Sequence, residues 1–188
     1  MKISKILLSS LSIALLSSSL LAKECVEIQS VNVGWTSYKT MAKIGVSGVF
    51  KNVQLHKSSQ TQTIKSALKG TSVQLKFANI DAKAAIKTSN ILKYFASKLS
   101  SSNIKAKIIK VGDKFLDLEV VLNNKKQIIP LSYTLDGGVM QAKGVIDARD
   151  FALTSALRNL NSHVAGHKNK GWLDIDISFE LIYTDRCK

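Results

Sequence analysis

His163 and His167 stand four residues apart, a spacing that on a helix would turn two imidazoles toward one metal ion. Gly166, Asn169 and Gly171 instead mark that stretch as a loop, and no third ligand lies close by in sequence. No metal is therefore expected. Asp81 and Asp150 read as helix caps rather than as the two acids of a catalytic pair. No glycine-flanked serine elbow or phosphate loop occurs in the chain. The expectation is a protein without catalytic residues and without a cofactor. Trp35 and Trp172 read as packing residues of an apolar wall. Cys25 and Cys187 stand far apart and without a CxxC spacing, so they read as one disulfide of an exported protein rather than as a redox pair.

Export is inferred from the first twenty-two residues. Lys2 and Lys5 supply a positive start, Ile6 to Leu21 is apolar with interspersed serines, and Ala22 is a small residue suited to cleavage. Residues 1–22 thus read as a signal peptide and 23–188 as a single domain, placed in the periplasm. Serine dilution and length argue against a membrane anchor. Without the two leader lysines the formal charge falls from +14 to +12. In that compartment nucleic acid is not an available partner, which leaves an anionic membrane surface or a solvated, solubilising shell to account for the charge. Only Arg149, Arg158 and Arg186 are arginines, and the scattered lysines that supply the rest lack the forked geometry of a dedicated phosphate site.

Positioning falls to strands, because alternation at period two runs through most of the remaining chain. Val31, Val33 and Trp35 share one strand face; Val46, Gly48 and Phe50 share another, continuing to Val53 and Leu55 after a slip. Val73, Leu75 and Phe77 form a third, and Ile104, Ala106 and Ile108 a fourth. Leu116 to Leu122, Ile129 to Leu135, Met140 to Ile146 and Leu173 to Tyr183 complete eight, with turns at Asn123-Asn124 and Asp136-Gly137. Two short helical insertions are expected, Ser89 to Leu99 capped by Thr88 or Ser89 and Asp150 to Leu160 capped by Asp150. Ser58 to Thr63 and His163 to Gly171 read as loops.

The fold class is mainly β: an eight-stranded antiparallel barrel, with a two-sheet sandwich as the alternative. If Cys25 faces Cys187, then Val31 falls opposite Leu181, Val33 opposite Phe179 and Trp35 opposite Ile177, so every pair lies on the apolar face. Eight strands enclose either a packed core or room for one slender ligand. Gly48, Ala106, Ala142 and Gly144 among the inward residues suggest room. An elongated apolar ligand would then be lined by Val33, Val46, Phe50, Leu75, Phe77, Phe95, Leu118, Val120, Leu131, Met140, Leu157, Ile175 and Phe179. The competing reading is a packed, ligand-free barrel that serves as an interaction or stress-related module. A homodimer stays open in either case.

A set of short motifs in order resembles the YceI-like family of exported bacterial proteins. They are Val33-Gly34-Trp35, Gly45 to Phe50, Ile80-Asp81, Tyr94-Phe95, Gly144 to Asp147, Asp150-Phe151 and Gly171 to Ile175, together spanning nearly all of Ile28 to Tyr183. The resemblance implies a lipocalin-like barrel with a long apolar tunnel that binds isoprenoid-type or other amphiphilic lipids. It departs from the pattern at Ala85-Ile86-Lys87, at Asn123-Asn124-Lys125 and at Ala152.

Overall fold

The computed structural model describes residues 25–186, so the expected leader and Cys187 lie outside the described residues. The strands are β1 (Val26–Lys39), β2 (Ile44–Phe50), β3 (Gln54–His56), β4 (Ser72–Lys76), β5 (Ile80–Asp81), β6 (Asn103–Val111), β7 (Phe115–Leu122), β8 (Lys125–Asp136), β9 (Val139–Asp147) and β10 (Gly171–Asp185). They form one antiparallel sheet in the order β3-β4-β6-β7-β8-β9-β10-β1-β2-β5. A single curled sheet replaces the sandwich alternative.

Ten strands, not eight, result from two local breaks. Asn52 adopts a left-handed backbone at φ 52°, which separates β2 from β3. Phe77–Asn79 tightens into a 3-10 turn, which separates β4 from β5. The broken passes still face each other: β3 pairs with β4, β2 pairs with β5, and the Lys51 amide donates to the Asn79 carbonyl at 2.8 Å across the gap. The two edge strands of the sheet are therefore chain continuations of strands at its opposite end. Eight passes of chain complete the curled, barrel-like wall.

The terminal strands pair in the expected register, with Val31 opposite Leu181, Val33 opposite Phe179 and Trp35 opposite Ile177. Below them a bulge between Ile28 and Ser30 shifts the ladder by one residue. The shift lets Val26 and Ile28 join the core although they alternate out of phase with Val33. It also places Arg186, not residue 187, beside Cys25: the Arg186 amide donates to the Cys25 carbonyl at 2.7 Å. The register read for Cys25 is thereby corrected by one residue, while Cys187 itself lies outside the described residues.

Among the described residues the α-helices number three. α1 (Ile64–Leu68) is held by a reciprocal Thr63–Ser66 cap and buries Ala67 and Leu68, so the polar loop expected over Ser58 to Thr63 leads directly into a helix. α2 (Ala85–Asn90) begins before Ser89 and passes through a π turn (Ile91–Phe95) into a 3-10 turn (Ala96–Lys98). Neither Thr88 nor Ser89 caps it; the Thr88 hydroxyl accepts from the Ala82 amide instead. α3 (Thr154–His163) starts at Leu153 rather than at Asp150 and runs into the segment expected to be a loop. Asp150 lies within a preceding turn that starts at Ala148 and is tied by the Leu153 amide to the Ala148 carbonyl. The α2 run and α3 cover one end of the barrel, joined by the Asn159 amide on the Tyr94 carbonyl and by Tyr94 stacked on His163 at 4.6 Å.

Candidate functional site

Beneath that cover lies a cavity of about 190 Å³. Val33, Val46, Phe50, Leu75, Val120, Ile175 and Phe179 reach it from the strands and Phe77 from the 3-10 turn, while Phe95 and Leu157 reach it from the cover. Phe50, Phe77 and Phe95 form a continuous aromatic run, with ring centroids 5.9 Å and 5.6 Å apart. Leu118, Leu131 and Met140 do not reach this cavity; they border a second one of about 30 Å³ farther along the barrel. Ile80, Ile104, Leu122, Ile146 and Ile177 also line the larger space. Four of these follow the inward phase of their strands, while Ile80 sits on β5, beyond the break where the alternation stops.

Small inward residues are not the source of the room. A Cβ on Gly48 would overlap the Trp35 ring and the Asp81 carbonyl, and one on Gly144 would overlap Leu131. Both glycines make space for a neighbouring side chain that already fills it. Ala142 borders only the small cavity, and Ala106 borders both. Trp35 thus has a double role, packing over Gly48 while lining the cavity, and its buried indole nitrogen has no hydrogen-bond partner.

One rim is polar and carries no acidic side chain among the cavity-lining residues. Ser37, Tyr38 and Lys39 end β1, Lys87 and Asn90 come from α2, and Asn161 and His167 come from α3 and the turn beyond it. Apolar periodicity could not flag these positions: Ser37 and Lys39 keep the inward phase of Val33 and Trp35 but are polar, and Lys87, Asn90, Asn161 and His167 lie outside the strands. His167 Nδ1 is 2.7 Å from Asn161 Oδ1, so a neutral ring protonated at Nδ1 suits this amide orientation. Burial, and then the Lys39 charge, hold the His167 pKa below its ordinary value. His163 instead meets the Asn159 carbonyl through Nδ1 at 2.8 Å, so the two histidines serve separate contacts. Trp172 lies at the rim outside the cavity-lining set, donates to the Thr40 carbonyl at 2.8 Å, and sits beneath Lys43 and Lys170. Asp81 pairs with Lys51 at 2.7 Å and accepts from the Lys83 amide at 2.8 Å, which lowers its pKa; it therefore braces a loop and caps no helix.

No model of a known protein family and no curated protein matches the sequence. Solved structures do match in shape. A polyisoprenoid-binding domain from Saccharophagus degradans aligns at TM-score 0.63 and 11% identity, over 87% of this chain and 99% of that one. BcnA of Burkholderia cenocepacia aligns at TM-score 0.54 and 14% identity, over 81% and 95%. The Campylobacter jejuni YceI protein aligns at TM-score 0.51 and 12% identity, over 76% and 86%. The curled antiparallel sheet with its helical cover is thus the fold of the YceI proteins, the family that the ordered glycine and aromatic motifs resemble.

Proposed function

We propose that this chain is a periplasmic carrier or sequestering protein for an elongated apolar ligand, an isoprenoid- or fatty-acid-type lipid, held in the barrel interior. The observation that carries the reading is the cavity itself: aliphatic and aromatic walls, one polar rim bearing Lys39 and Lys87, and no acidic side chain among the residues that line it. Such a lining accepts methylene groups and rejects sugars and nucleotides. At about 190 Å³ the space exceeds the roughly 150 Å³ of an engineered apolar cavity that admits benzene. It accommodates a segment of chain, with the polar end of the ligand at the rim. The likeness in shape to a polyisoprenoid-binding domain supports the same class of ligand.

The rim also suits contact with an anionic membrane surface. Met41 and Ile44, 77% and 51% exposed, project at the β1–β2 hairpin beside Lys39 and Lys43. Apolar tips flanked by cations match the headgroup boundary of an anionic bilayer. Organic extraction and native mass spectrometry of the protein purified from the periplasm test the carrier reading. An apolar molecule of defined mass that leaves on extraction is the expected result. A protein that carries none and takes up none from added lipid is the packed interaction module instead.

A further inference from the structure

We propose that Phe179 is the stop that sets how long an apolar chain the protein accepts. The proposal rests on the lipid-binding reading and adds to it a specificity-determining residue. Phe179 and Ala106 border both the larger and the smaller cavity, so they stand at the boundary between them. Around the wall of eight passes, β10 and β6 are diametrically opposed: three passes lie between them in either direction, beginning with β1 on one side and β9 on the other. A large ring on β10 thus faces a methyl group on β6 across the barrel.

The register fixes what else stands at this level. Phe179 pairs with Val33 on β1 and Ala142 on β9, while Ala106 pairs with Val73 on β4 and Val120 on β7. The next pairs bring Phe50 beside Val33 and Tyr133 beside Ala142, but Phe179 is the one aromatic that borders both cavities, and the small opposing Ala106 gives its ring the space to cross. Beyond it the barrel is tightly filled: Leu116, Leu131, Met140 and Leu181 are almost wholly buried, and only about 30 Å³ remains. The polar rim lies at the opposite end, where Lys39 pairs with Gly171. From Gly171 to Phe179 the strand rises about 26 Å, at about 3.3 Å per residue. A chain entering by its tail therefore ends against the Phe179 ring.

The test uses saturated straight-chain fatty acids of increasing carbon number, with affinities measured by calorimetry on the delipidated protein. In the natural protein each added methylene tightens binding about fourfold until the tail meets Phe179, after which affinity levels off. In Phe179→Ala the two cavities join, and the rise continues to longer chains before it levels. Phe179→Leu, which preserves a branched apolar side chain, gives an intermediate break point if the alanine variant does not fold. An identical break point in the natural and substituted proteins overturns the assignment of Phe179 while leaving the lipid-binding reading intact. Failure of every chain to bind any of these proteins overturns both.

Discussion

Val46→Phe and Gly144→Phe place the same ring at two inward positions, and the structure assigns them opposite signs. Val46 is half-buried and lines the cavity, so the added ring enters space that is already empty. An unfilled cavity of 190 Å³ at about 24 cal/mol per Å³ represents roughly 4.6 kcal/mol that any filling group can recover in part. The ring adds about four carbons, or roughly 3 kcal/mol of burial as a ceiling at about 0.8 kcal/mol each. For a domain of this size that corresponds to a rise of up to about 6–12 °C in melting temperature. Gly144 is different: even a methyl group there meets Leu131 and approaches the Pro130 carbonyl at 3.0 Å. Overpacking costs at least about 1–3 kcal/mol, a fall of roughly 2–12 °C. Thermal unfolding of both delipidated variants, followed by titration with a fatty acid, reads the two effects together. Val46→Phe should melt at or above the natural protein and lose the stabilisation that ligand confers. If it instead falls as Gly144→Phe does, the space beneath the cover is not usable room and the carrier reading loses its basis.

Gly48→Ala should destabilise the fold by about 1–3 kcal/mol and shift tryptophan emission, because the new methyl displaces the Trp35 ring; unchanged emission and melting would refute that packing. His167 has a lowered folded pKa, so its contribution is complete above the unfolded value near 6.5 and is lost as pH falls through the folded one. Release of bound fatty acid should therefore quicken as acidification charges the His167 ring beside Lys39, and His167→Gln should remove that dependence. Cys25 and Cys187 should resist alkylation in the exported protein, since Val26 pairs with Asp185 and Arg186 bonds to Cys25; two alkyl adducts on the intact mass would exclude the disulfide. Binding to anionic vesicles through the rim should weaken with salt, whose screening length is about 10 Å at 0.1 M, and weaken again in Lys39→Glu; salt-independent binding would assign the lysines to a solvated surface.

Alternation made the wall legible from the chain, since a period of two with one buried face fixes both the strands and which residues turn inward. Matching the apolar faces of the first and last strands was enough to place Val33 opposite Phe179. What alternation cannot report is where a pass bends. The left-handed Asn52, the 3-10 turn at Phe77 and the bulge after Ile28 each depend on local backbone energies within an otherwise continuous pattern. The cover was less legible for a related reason. α1 has five residues, too few for a helical stripe, and the α2 run changes hydrogen-bonding period twice, which blurs its face. Small inward residues misled in physical terms: a glycine facing inward accommodates either a ligand or a neighbour, and at Gly48 and Gly144 the neighbour is a side chain of the same protein.

The breaks in the wall and the position of the cavity have a common origin. Where β2 gives way to β3 and β4 to β5, the ladder between passes two and three is interrupted, with the short β2–β5 and β3–β4 pairings on either side and the Lys51–Asn79 bond across the gap. Phe50, Phe77 and Ile80 all flank this interruption and all line the cavity. An uninterrupted ladder would hold those side chains at regular spacing; toward the other end of the barrel, where β3 and β4 pair again at Leu55 and Val73, only about 30 Å³ remains. Turning Phe77 out of the strand lets it meet Phe95 from the cover, so the aromatic run bridges the break that would otherwise expose the interior. The local departures that cost the sheet its regularity are thus the ones that flank the room at one end of the barrel, and the cover contributes the apolar residues that make it a covered cavity rather than a cleft.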